Sequence, residues 1–372
     1  MPPVCQRFLG LLLVLSLASC RPMPPEISQN ALPISADEKI EPEKLRERID
    51  QVLDFTLKHR HLNTQDHAAW QILHGSLAYG RAFPVMHEGQ PIPVIDYLAE
   101  GGRMNGWTIE RGFKLQSKEE GKDNFGMRAV TEPGTRAGQG HYDQWLAILS
   151  QCDVPPDATF VVGPDTFTMT NFVQQVQLDT SRNHLREFSW TLIGLTKYFP
   201  TDHSWTDISG KKWSIADLAQ IEIEQGLANG ACGGTHRLIG LTMALNRRKK
   251  AGLPIEGVWA DAEQLIQESI TAARQYQNPN GALSVNYFQR PGSSPDLAEN
   301  LGTTGHTLEF LSLALDDEQL KEEWVRRAAS YQCEVFERTQ QVSLECGALY
   351  HAAHGLVLYR ERVYGPREYS AE

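Results

Sequence analysis

Six stretches of this chain carry a histidine at the head of an apolar run: DHAAWQILHGSLAYG (His67), GHYDQWLAIL (His141), NHLREFSWTLIGL (His184), THRLIGLTMAL (His236), GHTLEFLSLAL (His306) and YHAAHGLVLY (His351). Successive histidines stand 74, 43, 52, 70 and 45 residues apart. Repeats of that size mark arrays of paired helices, in which each unit buries its apolar face against its neighbours. No proline interrupts any of the six runs, and each is long enough for about two to four helical turns.

Helices of another character lie between them. They cover residues 41–60, 93–102, 165–180, 213–228, 256–277 and 317–339. In the last, Leu320, Trp324, Ala328, Tyr331 and Val335 form one apolar stripe among charges. Nearly all-apolar helices therefore alternate with amphipathic ones, six of each. A helix that is apolar on most sides must be buried on most sides. A ring of six inner helices inside six outer ones meets that demand, so the expected fold is all-α, an (α/α)6 toroid. An open α-solenoid is the alternative. Residues 81–140 break the rhythm: NGWTIERGFKLQ (105–116) alternates as strands do, and TEPGTRAGQG (131–140) reads as loop. A loop and β-hairpin insertion of this kind is expected over one mouth of the ring, where it would shape a site.

The formal net charge of −11 and the pI near 5.6 argue against nucleic acid, which needs a basic surface. The one basic run, Arg247–Lys250, ends a helical stretch, where cations suit the helix dipole. The chain opens MPPVCQRFLGLLLVLSLASCRP. Phe8 to Ala18 is apolar but too short to span a bilayer, which takes about 20 residues. The ending Leu17-Ala18-Ser19-Cys20 resembles the lipobox of bacterial lipoproteins. That resemblance implies a signal peptide over 1–19, lipidation of Cys20 and a membrane partner through that lipid. It places the protein in the cell envelope, on the outer membrane facing the periplasm in a Gram-negative cell. Residues 20–36 are Pro-rich and read as a tether, leaving 37–372 as a single toroid domain.

The stretch QNPNGAL from Gln277 to Leu283, taken with the His-led helices, resembles the α/α toroid superfamily of terpenoid cyclases and protein prenyltransferases. Squalene cyclases repeat a Gln-x3-Gly-x-Trp motif that ties outer helices together. Gln277 and Gly281 match it, and Leu283 stands where the Trp would be. The likeness covers roughly residues 40–365, in architecture more than in motif. Where squalene cyclases carry an Asp-x-Asp-Asp acid, this chain has only Leu315-Asp316-Asp317. The resemblance therefore implies the ring and not polyene cyclisation. Sugar epimerases and several glycoside hydrolases and lyases share the ring at the level of fold alone.

In such a ring the inner-helix N-termini share one mouth. The catalytic candidates there are His67, His141, His184 and His306 with Asp143, Glu187 and Glu309. Glu187 and Glu309 each follow a histidine by three residues and so share its helical face. Two carboxylates across a lumen suit acid–base work on a glycosidic bond, although helix N-termini favour Asp and Glu as caps in any case. Trp107, Trp145 and Trp190 suit stacking on sugar rings. Cys232-x3-His236, with His306 opening the next apolar run, offers a thiolate and two imidazoles, a donor set suited to zinc. Alternatively Cys152, Cys232, Cys333 and Cys346 form disulfides, with three full pairings open, or are buried thiols. The expected function is an enzyme acting on a glycan or similar polar ligand through His and carboxylate groups. The alternatives are a non-catalytic ligand- or protein-binding toroid, and a zinc-dependent site. An enzyme should bring at least two carboxylates, or a histidine with a carboxylate, together in one open pocket, whereas a non-catalytic scaffold should pair those groups with backbone and fill its lumen.

Overall fold

A computed structural model describes residues 40–116, 123–132 and 139–370. The expected signal peptide and tether, with Cys20, lie outside the described residues, as do parts of the expected insertion. The described chain is mainly helical, with twelve α-helices and four small sheets. The helices are α1 (Pro42–His59), α2 (Ala69–Tyr79), α3 (Val94–Ala99), α4 (Gln144–Gln151), α5 (Met169–Asp179), α6 (Ser189–Tyr198), α7 (Ile215–Gln225), α8 (Thr235–Lys250), α9 (Val258–Gln275), α10 (Leu297–Ala314), α11 (Glu323–Arg338) and α12 (Cys346–Tyr364).

The two helix characters occupy different places. The even-numbered, apolar helices pack in sequence: α2 on α4, α4 on α6, α6 on α8, α8 on α10 and α10 on α12. α12 packs back on α2, so their contacts close a cycle. The odd-numbered helices bury one stripe each, except α11, in which every residue from 328 to 336 is buried, so that its second half is enclosed on all sides rather than along the expected stripe. In α1 the buried residues Leu45, Ile49, Val52, Leu53, Thr56 and Leu57 follow the helical period. α1 packs on α11 and α7 on α9. Gln277 ties two of these odd helices: its amide Nε2 donates to the Gly281 carbonyl at 2.9 Å and to the Trp324 carbonyl at 2.8 Å, joining the end of α9 to the start of α11.

The even helices α2, α4, α6 and α10 begin away from the histidine expected at their head. Asp296 caps α10 through the Ala298 N–H, so the helix starts at Leu297 and His306 lies in its middle rather than at its head. α6 starts only at Ser189, five residues past His184. There the buried carboxylate of Glu222, on α7, accepts from the Phe188 N–H and the Ser189 hydroxyl. α2 and α4 likewise start after His67 and His141.

The glycines of α10 allow its tight packing on α12. A Cβ on Gly305 would lie 2.6 Å from Ala352 Cα, whereas on Gly302 it would meet nothing nearer than Ala348 Cβ at 3.5 Å. Gly305→Ala should therefore cost about 1–3 kcal/mol through overpacking. Gly302→Ala, one turn away, should gain about 0.4–1 kcal/mol by reducing unfolded-chain entropy. Urea unfolding of the pair checks this, and equal effects would contradict the packing account.

The antiparallel pair β1 (Trp107–Leu115) and β2 (Asn124–Thr131) is the hairpin expected in the insertion. Three shorter hairpins were not expected: 84–93, 159–168 and 204–214. Each leads straight into an odd helix, respectively α3, α5 and α7. Their strands of three or four residues are too short to show alternation. The turn chemistry was the available sign: Gly163-Pro164 makes a two-residue loop with φ +61° at the glycine. No helix among the described residues is long and apolar enough to cross a membrane. Cys152, Cys232, Cys333 and Cys346 are all free thiols.

Candidate functional site

The cycle of even helices carries a cluster of imidazoles. His351 of α12 stacks on His306 of α10 at 4.2 Å between ring centroids. His236, at the start of α8, lies 5.4 Å from His306 and 5.1 Å from His351. His74 of α2 lies 5.1 Å from His351, and His141, just before α4, lies 5.6 Å from His236. α6 contributes Trp190 instead of a histidine, 4.8 Å from His236. Each even helix or its lead-in thus supplies one ring.

Two sequence candidates do not join the cluster. His67 sits in the turn before α2, where its Nδ1 accepts from the Asn63 N–H at 3.1 Å. His184 is exposed beside the Tyr142 hydroxyl. The places expected for them are taken by His74 and Trp190, which lie inside their helices. The sign in the sequence was position: His74 sits between Leu73 and Leu77 in mid-run, where any side chain must be buried.

Glu309 anchors one side of the cluster. Its carboxylate accepts from Nδ1 of His351 and Nδ1 of His354, both at 2.7 Å, and the residue is 1 % exposed. Burial alone would raise its pKa, but the two imidazoles outweigh this and hold the carboxyl well below its ordinary range. Burial lowers the pKa of His351 despite Glu309, so the ring is neutral and donates through Nδ1–H. Burial, with His351 beside it, also pushes His74 down to about 3 and His236 well below its ordinary value. His306 goes the other way. Burial opposes its charge, but the Cys232 sulfur, Glu309 and the Gly302 carbonyl raise it to about 9.

Two sets of donor atoms meet at His236. The donors of Cys232, His236 and His306 all lie within 4.8 Å of one another, and so do those of His141, Glu187 and His236. Either set has the composition to hold a metal ion. Cys232 is held there in a left-handed turn, with φ 49° and ψ 44°, followed by Gly233 and Gly234 at φ 65° and 84°. A non-glycine residue in that conformation is strained, a feature that clusters at functional sites. His236 is 5 % exposed, and neither Nδ1 nor Nε2 has a hydrogen-bond partner among the described residues. A buried polar group left unpaired costs about 1–3 kcal/mol, so a bound group that takes it up fits this site.

A cleft of about 650 Å³ opens beside the second set. Its lining includes Trp107, Arg128, His141, Asp143, Gln175 and Glu187. The hairpin forms one wall, seated on α5. The Gln175 carbonyl accepts from the Phe113 N–H at 2.7 Å, and its amide donates to Asp179 at 2.7 Å, which also takes Arg128 Nε at 2.8 Å. Gly112 and Gly126 make this seat possible, because a Cβ on either would come within 2.2 Å of Gln175 Oε1. In the cleft, His141 Nδ1 and Glu187 Oε2 share a hydrogen bond of 2.8 Å. Burial would raise Glu187, but His141 overrides it and lowers the carboxyl below its usual value. Asp143 accepts from the Thr191 hydroxyl at 2.5 Å. Burial pushes its carboxyl up to about 7, although the residue as a whole is only half-buried at the cleft wall.

The sequence candidates therefore fall into three places. His141, Asp143 and Glu187 line the cleft. Cys232, His236 and His306 stand together behind it. Glu309 is buried beneath the imidazoles. Trp107 and Trp145 pack on each other at 4.7 Å, both almost fully buried. Compared with known protein families, curated proteins and solved structures, the chain matches none.

Proposed function

We propose that this chain is an (α/α)6 toroid enzyme that hydrolyses a glycan or a similarly polar ligand in the cleft beside His141. The closed cycle of even helices, with amphipathic odd helices against it, supports the toroid reading. One observation carries the functional reading: a histidine and two carboxylates, His141, Glu187 and Asp143, converge on one open cleft, and the donors of His141 and Glu187 lie within 4.8 Å of that of His236 behind them.

Zinc is the ion that the Cys232, His236 and His306 donors suit; held there it would stand behind the cleft wall that His141 and Glu187 form and would polarise that wall as a Lewis acid. The protein's own groups do the rest. His141 and Glu187 hold one proton between Nδ1 and Oε2, ready to exchange with the reacting bond. Thr191 fixes Asp143 through one oxygen and leaves the other free to hold a proton in the cleft. The hairpin and α5 hold the cleft wall in place. We also propose that the protein is lipid-anchored through Cys20 in a bacterial cell envelope, a reading that rests on the lipobox resemblance alone.

The test is turnover of an oligosaccharide panel by the full-length protein, followed by mass spectrometry, with zinc and after chelation. Product that disappears on chelation and returns with zinc is expected. Turnover indifferent to chelation would remove zinc from the reading and leave the carboxylates. Binding without turnover would make the chain a ligand-binding toroid instead.

A further inference from the structure

Occupancy of the Cys232 set leaves one feature of His236 unexplained. An imidazole bound to one ion satisfies one nitrogen, and both nitrogens of this ring lack partners. The ring is 5 % exposed, so bulk water is not the remaining partner. His236 is the single residue common to two donor sets, Cys232 with His306 and His141 with Glu187. Its ring stands between them, 5.4 Å from the His306 centroid and 5.6 Å from that of His141.

We infer that the site binds two divalent cations, with the His236 ring between them, one nitrogen to each. The first ion takes Cys232 and His306, and the second takes His141 and Glu187. This rests on the reading of Cys232, His236 and His306 as zinc ligands. The two sets differ in chemistry. Thiolate with imidazole is soft and selects zinc, whereas carboxylate with imidazole also accepts harder ions. The second ion replaces the proton that His141 and Glu187 share, and that proton leaves to solvent, so in the two-ion form Asp143 takes over from this pair as the group that holds a proton in the cleft. His236 loses its ring proton in the same way, which the positive charge on both sides stabilises. The second ion borders the cleft through His141 and Glu187, whereas neither Cys232 nor His306 lines it. The ion nearer the ligand is therefore the one without thiolate.

Metal content of the full-length protein decides this. The protein is stripped with chelator, reloaded with zinc alone, desalted and measured by mass spectrometry. A parallel loading with cobalt(II) reports thiolate ligation by its charge-transfer absorption. Circular dichroism confirms that each variant is folded. We expect two zinc ions per wild-type chain and one in each of Cys232→Ser and Glu187→Gln. The thiolate–cobalt band should persist in Glu187→Gln and vanish in Cys232→Ser. A single ion in the wild type, whichever variant loses it, overturns the shared-histidine arrangement. If that ion is lost only in Cys232→Ser, the zinc reading above stands while this one falls. No ion in the wild type removes both.

Discussion

Glu309→Ala should destabilise the protein by about 3–5 kcal/mol, from two orphaned buried donors at about 1–3 kcal/mol each and the void left beside them. That is a large share of the roughly 5–15 kcal/mol by which domains are stable. The cost has two sources. The Nδ1–H groups of His351 and His354 lose their shared acceptor in a place that water does not reach, and the truncated side chain leaves a void between α10 and α12. Glu309→Gln separates the two. It fills the space but offers one acceptor oxygen where the carboxylate offered two, so its NH2 faces a ring N–H. Its cost should fall between wild type and Glu309→Ala. Urea unfolding measures both, and a loss under about 1 kcal/mol for the alanine variant would sink the account.

Acid should weaken the wild type by the same network. A carboxyl held below its unfolded pKa contributes stability that is present above about 4.3 and lost as pH falls through its folded value. His74 adds to this earlier. It stays neutral down to about 3, while the unfolded chain takes up a proton below about 6.5. The unfolded state then binds more protons, so stability falls by up to about 1.4 kcal/mol per pH unit as pH drops through that window.

The helix plan was legible because it is written in long periodic runs. Apolar stretches of ten or more residues alternate with amphipathic ones, and burial follows from that contrast alone. The starts of helices were less legible, because they depend on single caps. Asp296 moved the start of α10 nine residues upstream of His306, and Glu222, from a different helix, set the start of α6. Three hairpins of three- and four-residue strands leave no period to read. At the site, Cys232, His236 and His306 stood out because they sit in consecutive apolar runs, which pack as neighbours. The His141–Glu187 bond joins residues 46 apart, from two different lead-ins, and no local spacing announces it. Spacing alone pairs Glu187 with His184, three residues away. The exposed loop before α6 turns His184 outward instead and leaves Glu187 facing His141.

Glu187→Gln should lower turnover of whichever glycan the wild type hydrolyses by about 10²–10⁴-fold, the usual worth of a positioned proton-transfer group. The substitution is close to isosteric, and the amide oxygen can still accept from His141 Nδ1, so the cleft keeps its shape. What is lost is the negative charge beside His141 in the cleft. The effect should appear in kcat with little change in KM, because a group that acts on the reacting bond contributes mainly in the transition state. Asp143→Asn supplies the comparison. Its carboxyl lies in the same cleft but belongs to neither donor set, so its loss should reduce turnover without reducing metal content. Full turnover in Glu187→Gln would place the chemistry elsewhere, and retained turnover in both variants would remove the carboxylates of this cleft from the reaction altogether.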